Sequence, residues 1–139
     1  MSSGKSLPIL VKVSPDLTEE DLAAIARLVR ELRIDGVIAT TTTITRDTVT
    51  GVPNREQQGG LSGAPIRQLA LRAIFILREH LGPDMPIVAA GGIDSGTAAV
   101  DALRAGADLI RIYTGLIYRG PRLINEIRAA VTAYRSLHS

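Results

Sequence analysis

The chain has 139 residues, 45% of them hydrophobic and 22% charged, the balance of one globular domain and not of a disordered tail. Lys and Arg number 16 against 14 Asp and Glu, and a net charge of +2, evenly spread, gives no electrostatic case for nucleic acid. With no cysteine there is no disulfide, thiolate metal site or cysteine nucleophile, and with 3% aromatic residues the core has to be built from Leu, Ile, Val and Ala.

Met1–Lys5 leads straight into a strand-like run and lacks the pattern of a signal peptide, and no apolar stretch reaches the length of a membrane span. That first run, Leu7–Val13, is followed by three more at Gly36–Thr40, Pro86–Ala90 and Leu109–Tyr113. All are nearly continuous in apolar residues instead of alternating, which predicts parallel strands buried on both faces. Helical patterns lie between them. The first carries Leu22, Ile25, Leu28, Val29 and Leu32 and is opened by Thr18 and Asp21 at capping-box spacing. The second begins at Ala64-Pro65, carries Leu69, Ala73, Ile76, Leu77 and Leu81, and ends at Gly82. A third starts after Asp94-Ser95 and stops at Gly106, and a fourth runs from Pro121 to the C-terminus with Ile124, Ile127, Val131 and Tyr134 on one stripe.

The order β-α-β-α-β-α-β-α defines an α/β fold with a parallel sheet and crossover helices. Two layouts fit it: a small open sheet, or four units of a closed (β/α)8 TIM barrel, which in full needs about 250 residues. A half barrel leaves two strand edges unpaired and one sheet face unfilled. It then calls for a complementary half, a second copy of itself, or another closure. No linker or close repeat divides the chain. The anomalous connection is Thr41–Gly63, polar and Gly-containing; structureless loops of that length are uncommon and usually serve as lids or binding loops.

Ligands of parallel α/β folds bind at the carboxyl ends of the strands. Those ends carry Lys12, Thr40 to Thr43, Gly91-Gly92 and Tyr113-Thr114-Gly115. Gly91 to Gly96 closes a strand and opens a helix, so its backbone N–H groups are candidates to face an anion at a helix N-terminus. One such loop is commonly just a tight turn. Two in succession, after the last two strands, are the usual place for a phosphate in a barrel. Lys12 interrupts an apolar strand and is either an edge-strand gatekeeper or a cation in a site; its apolar neighbours weigh against an edge. The threonine run offers hydroxyls, though threonine also simply favours strands. Arg111 reads as a structural partner for a carboxylate, and His80 and His138 as surface residues.

Several segments resemble the class 2, quinone-reducing dihydroorotate dehydrogenases in order and spacing: Val11 to Thr18, Asp35 to Thr40, Gly59-Gly60-Leu61-Ser62-Gly63, Gly91-Gly92-Ile93, and Ile112 to Pro121. The resemblance covers nearly the whole chain but only the C-terminal half of that family's barrel, so residues 1–139 are expected to form a C-terminal half-barrel of an FMN-binding domain. It implies FMN as cofactor, with Lys12 at the flavin ring, Thr40 as a further contact, and Gly63, Gly92, Tyr113 and Thr114 at the ribityl phosphate. Thr41 and Thr42 fall where the family contacts orotate; Thr41 stands where the family has asparagine, a departure at the substrate edge.

The implied reaction is oxidation of dihydroorotate to orotate in pyrimidine biosynthesis, with quinone as acceptor and a peripheral site on the cytoplasmic side of the membrane. The family's catalytic serine and quinone entrance match nothing here, and Ser14 and Ser62 do not fit the serine motif. The chain alone is therefore expected to be inactive, to contain no catalytic residue and no metal site, and to be soluble or aggregated in the cytoplasm. Two other readings stand beside this one: an inactive half-barrel that self-associates, and another phosphate-binding barrel enzyme.

Overall fold

The computed structural model describes residues 7–138, and the Met1–Lys5 lead-in lies outside the described residues. Strand β1 (Leu10–Val13) is followed by helix α1 (Glu19–Glu31) and strand β2 (Gly36–Ala39). Short 3₁₀ turns at Asp47–Val49 and Ala64–Ile66 precede helix α2 (Arg67–Leu81) and strand β3 (Ile87–Ala90). Helix α3 (Gly96–Arg104), strand β4 (Leu109–Arg111), helix α4 (Thr114–Arg119) and helix α5 (Arg122–Ser136) complete the chain.

The four strands form one sheet in the order β1-β2-β3-β4, and every pair is parallel. Residues in register share a face, so two stripes run across the sheet. One holds Val13, Val37, Ala39, Ile87 and Ala89, all buried in a core shared with Leu22, Ala26, Val29, Leu77 and Ala99 of the helices. The other holds Leu10, Lys12, Ile38, Val88, Leu109 and Arg111, and it is open: Leu10 is 39% and Leu109 56% exposed. Burial on both faces is thus met on one face only. Sequential strands joined by crossovers of one hand place every helix on the same side.

The local signals act as read. Thr18 Oγ1 accepts from the Asp21 amide at 3.1 Å, and the Asp21 carboxylate accepts from the Thr18 amide at 3.3 Å, closing the capping box of α1. At the opposite end from the strand carboxyl termini, Arg78 donates to the carbonyls of Gly106, Gly82 and Met85 at 2.8, 2.6 and 2.9 Å and to Asp108 at 2.6 Å. Asp108 also accepts from the Ile87 amide at 2.8 Å, so one ion pair fixes the entry to β3 and β4.

The structure settles three expectations. β1 is an edge strand, since its register partners all lie on β2; this agrees with the open edge of a half barrel and corrects the weighing of Lys12's apolar neighbours against an edge. It is also shorter than the apolar run, because Leu7–Ile9 precede the first β2 register partner; Ile9 instead exchanges hydrogen bonds with Asp35, whose carboxylate accepts from the Ile9 amide at 2.7 Å. The strand-to-helix passage after β4 contains α4, a helix of 6 residues too short to show periodicity.

Leu77 is fully buried between α2 and the sheet. Leu77→Ala is expected to lower unfolding free energy by about 2–5 kcal/mol. Urea denaturation checks it, with the midpoint shifted and the slope unchanged.

Candidate functional site

The carboxyl ends of the strands open into a cleft of about 860 Å³. Lys12, Thr40, Thr41 and Thr42 line it from the β1 and β2 side. Gly63, Gly92, Tyr113 and Thr114 line it from the far side, so all eight residues singled out in the sequence meet at one site.

Each wall has a physical cause. Thr40 is 3% exposed; its amide donates to the Ala90 carbonyl at 2.5 Å and its hydroxyl lies 3.0 Å from the Thr41 carbonyl, with a cis peptide joining it to Ala39. Thr41 donates its amide to Val13 at 2.8 Å and its hydroxyl to the Thr42 carbonyl at 3.1 Å. Gly92 has φ +71°, and a Cβ there would sit 2.5 Å from Arg67 Cα. Arg67 explains that closeness: its Nε donates to the Gly92 carbonyl at 2.8 Å and its guanidinium pairs with Asp94. Gly63, at φ +83°, brings the backbone against Thr114, whose hydroxyl donates to Ser62 Oγ at 2.9 Å.

Segment 41–63 is a strapped lid, not a structureless loop. Arg46 donates to five carbonyls of the segment, those of Thr43, Thr45, Arg55, Gln57 and Gly59, at 2.6 to 3.3 Å. Asp16 accepts from the Thr43 hydroxyl and from the Ile44 amide at 2.9 Å, tying the lid to the loop after β1. Thr43 and Leu61 form an antiparallel bridge, and Val49 is buried beneath the segment. A lone arginine in a polar stretch carries no periodic signal, so nothing in the sequence singles out Arg46.

The helix N-terminus reading of Gly91–Gly96 is corrected. At α3, Ser95 Oγ accepts from the Ala98 amide at 3.1 Å and Glu126 Oε1 accepts from the Gly96 amide at 2.8 Å. The helix end is thus neutralised by the chain's own carboxylate. Arg119 holds Glu126 at 2.9 Å and the Asp94 carbonyl at 2.7 Å. The bond from Gly96, then that from Arg119, keeps the Glu126 carboxyl below its usual range. An anion in the cleft would meet the Gly91-Gly92 and Tyr113-Thr114 turns instead.

The electrostatics are one-sided. Lys12 and Arg111 both line the cleft, and neither has an ion pair or side-chain hydrogen bond among the described residues. The pairing of Arg111 with a carboxylate expected from the sequence is therefore absent there. Asp94, the one carboxylate in the lining, is already held by Arg67. No histidine lines the cleft; His80 and His138 lie on the surface, where the His80 carbonyl receives Arg30 and His138 Nδ1 lies 2.8 Å from the Tyr134 carbonyl. Ser14 lies against Asp16, and Ser62 against Thr114. Among the described residues no group of three or more His, Asp or Glu side chains is placed to hold a metal ion. The arrangement sets two cations, unpaired among the described residues, beside glycine turns, chemistry suited to an anion.

A parallel β/α sheet whose strand ends frame such a cleft is the ligand-binding unit of an α/β barrel. The family profile described as dihydroorotate dehydrogenase matches residues 1–134, and the chain belongs to that family. Dihydroorotate dehydrogenase (quinone) of Paracidovorax citrulli is 52% identical over 129 residues, covering 93% of this chain and 36% of its own length. The enzyme of the same name from Haemophilus influenzae is 50% identical over 123 residues, covering 88% and 36%. A crystal structure of the Eimeria tenella protein in complex with ferulenol superposes with a TM-score of 0.87 at 34% identity, over 94% of this chain and 35% of that one. The chain thus spans little more than a third of the relatives it matches. Among the described residues no helix is long and apolar enough to cross a membrane.

The lowered Glu126 pKa gives a pH prediction. A depressed carboxyl stabilises the fold above its ordinary value of 4.5, and that contribution is lost as pH falls through the depressed value. Glu126→Gln is expected to remove this part of the acid-side slope, read as unfolding free energy against pH.

Proposed function

We propose that residues 1–139 form the C-terminal, flavin-phosphate half of a quinone-dependent dihydroorotate dehydrogenase barrel. The convergence of Lys12, Thr40, Gly63, Gly92, Tyr113 and Thr114 on one cleft carries this reading. The lining suits FMN: the glycine turns at Gly63 and Gly92, packed close against Thr114 and Arg67, border the cleft on the phosphate side, and Lys12, without a side-chain partner among the described residues, borders it on the other. When bound, FMN supplies two-electron acceptance.

The chain's own residues hold and orient. Lys12 favours negative charge on the ring, Thr40 steadies the ring edge, and the four far-side residues fix the ribityl phosphate. Thr41 and Thr42, at the mouth of the lid, face the orotate edge of the substrate. Conversion of dihydroorotate to orotate also requires a base to take a proton; in the lining, Asp94 is paired with Arg67 and Ser62 is hydrogen-bonded to Thr114. We assign that base, the quinone approach and the peripheral membrane contact to a complementary part of the barrel. The quinone acceptor is supported by the name its relatives carry.

The open sheet face favours a second property. Among the described residues β1 and β4 each pair on one side only, and Leu10 and Leu109 remain exposed on them along the open face. Apolar surface gains ~25 cal/mol per Å² on burial, so the chain without its complement associates with itself. Light scattering at high concentration is expected to show dimers or larger species; a monodisperse monomer contradicts it.

Thr41 provides the test of the main reading. An asparagine there offers an acceptor and a donor together to the alternating C=O and N–H edge of orotate, whereas threonine offers one hydroxyl, here turned to the Thr42 carbonyl. In a barrel completed by co-expression with the complementary part of a relative, Thr41→Asn is expected to tighten orotate binding by about one to two orders of magnitude. Flavin retention stays unchanged, and the 139-residue chain alone gives no turnover. Equal orotate dissociation constants, or turnover by the chain alone, would refute the assignment.

A further inference from the structure

We propose that Arg111 is a ligand-binding cation of the cleft and serves the phosphate end of the ligand, opposite Lys12. The proposal deepens the flavin reading and rests on it for the identity of the ligand.

Three observations carry it. The first is position. Arg111 is in register with Ala90, the last residue of β3, so it stands beside the strand end that turns into Gly91-Gly92. Tyr113 and Thr114 follow it on its own strand end. It shares the open sheet face with Lys12 but lies on the opposite edge strand, which separates the two cations across the width of the site.

The second is the contrast with the other arginines that shape this end of the molecule. Arg46, Arg67 and Arg119 are each spent on carbonyls or carboxylates of their own chain. The Arg111 side chain has no hydrogen bond or ion pair among the described residues, yet it lines the cleft. Arg111 is exposed on the open sheet face, so its charge is available to a ligand, and among the described residues no carboxylate pairs with it. The third is the charge of the lining. With Asp94 neutralised by Arg67, Lys12 and Arg111 leave a concave site with excess positive charge, which concentrates anions. A phosphomonoester carries between one and two negative charges near neutrality, and the planar fork of arginine matches its oxygens in pairs.

The test compares FMN with riboflavin, which differ only in the phosphate, by flavin fluorescence titration of the 139-residue chain. Arg111→Gln is expected to weaken FMN about tenfold or more and to leave riboflavin unchanged. Arg111→Lys recovers part of the loss, and Arg122→Gln, on the exposed start of α5, changes neither flavin. Equal FMN affinity in Arg111→Gln and the parent chain overturns the proposal. So does an equal loss of both flavins, which would mark Arg111 as structural or as the partner of a carboxylate elsewhere. Calorimetric titration with pyrophosphate separates this inference from the flavin reading. Arg111-dependent pyrophosphate binding without flavin binding upholds the cation site and refutes FMN as its ligand. A parent chain that binds neither pyrophosphate nor FMN overturns the proposal itself.

Discussion

Parallel strands in sequential order impose one constraint from which the rest follows: every carboxyl end points the same way and every helix lies on the same face. Residues far apart in sequence, from Lys12 to Thr114, therefore meet without any long-range signal between them. The same constraint leaves the second face open. In the packed half of the sheet, Val37, Ala39, Ile87 and Ala89 are fully buried; their neighbours one residue away, Ile38 and Val88, are not.

With few aromatic residues to anchor loops, the chain uses guanidinium groups. Arg78 binds the strand entries, Arg67 binds the Gly92 turn, and Arg46 gathers the lid. Arg78 and Arg46 each replace water at several carbonyls and Arg67 at one carbonyl and a carboxylate, and hydrogen bonds to a charged group contribute about 1.5–3 kcal/mol. The tight approach at Gly92 and the lid's fixed path both derive from these donors, so the shape of the cleft depends on arginines that do not face its ligand. Gly60 belongs to the same construction: a Cβ there would overlap the Thr42 side chain, so the lid folds back on itself only with glycine at that point.

Much of this was readable in the residues. Apolar runs without alternation located all four strands, helical spacing located α1, α2 and α5, the flanking Asp94-Ser95 and Gly106 located α3, and the strand ends located the cleft residues apart from Gly63, which the resemblance supplied. What escaped lacks periodicity or depends on distant partners. Helix α4 has 6 residues and lies inside a segment that reads as a Gly-containing turn. Lys12 was placed by its apolar neighbours inside the sheet, but apolar composition cannot tell an edge strand from a central one. Glu126, 30 residues from the Gly96 amide it caps, redirects the anion-binding reading away from α3. Arg46 and Arg111 look alike in sequence; only the tertiary structure shows that one is fully engaged and the other is not.

The central claim is that one end of this sheet is a flavin-phosphate site made by the chain's own glycine turns. An amide NMR titration with FMN tests it most directly. The account predicts that the largest shifts fall on Gly63, Gly92 and Thr114, with smaller ones at Lys12 and Thr40. Shifts confined to the groove between Arg27 and His80 on the helical face, or absent from the glycine turns, would contradict it.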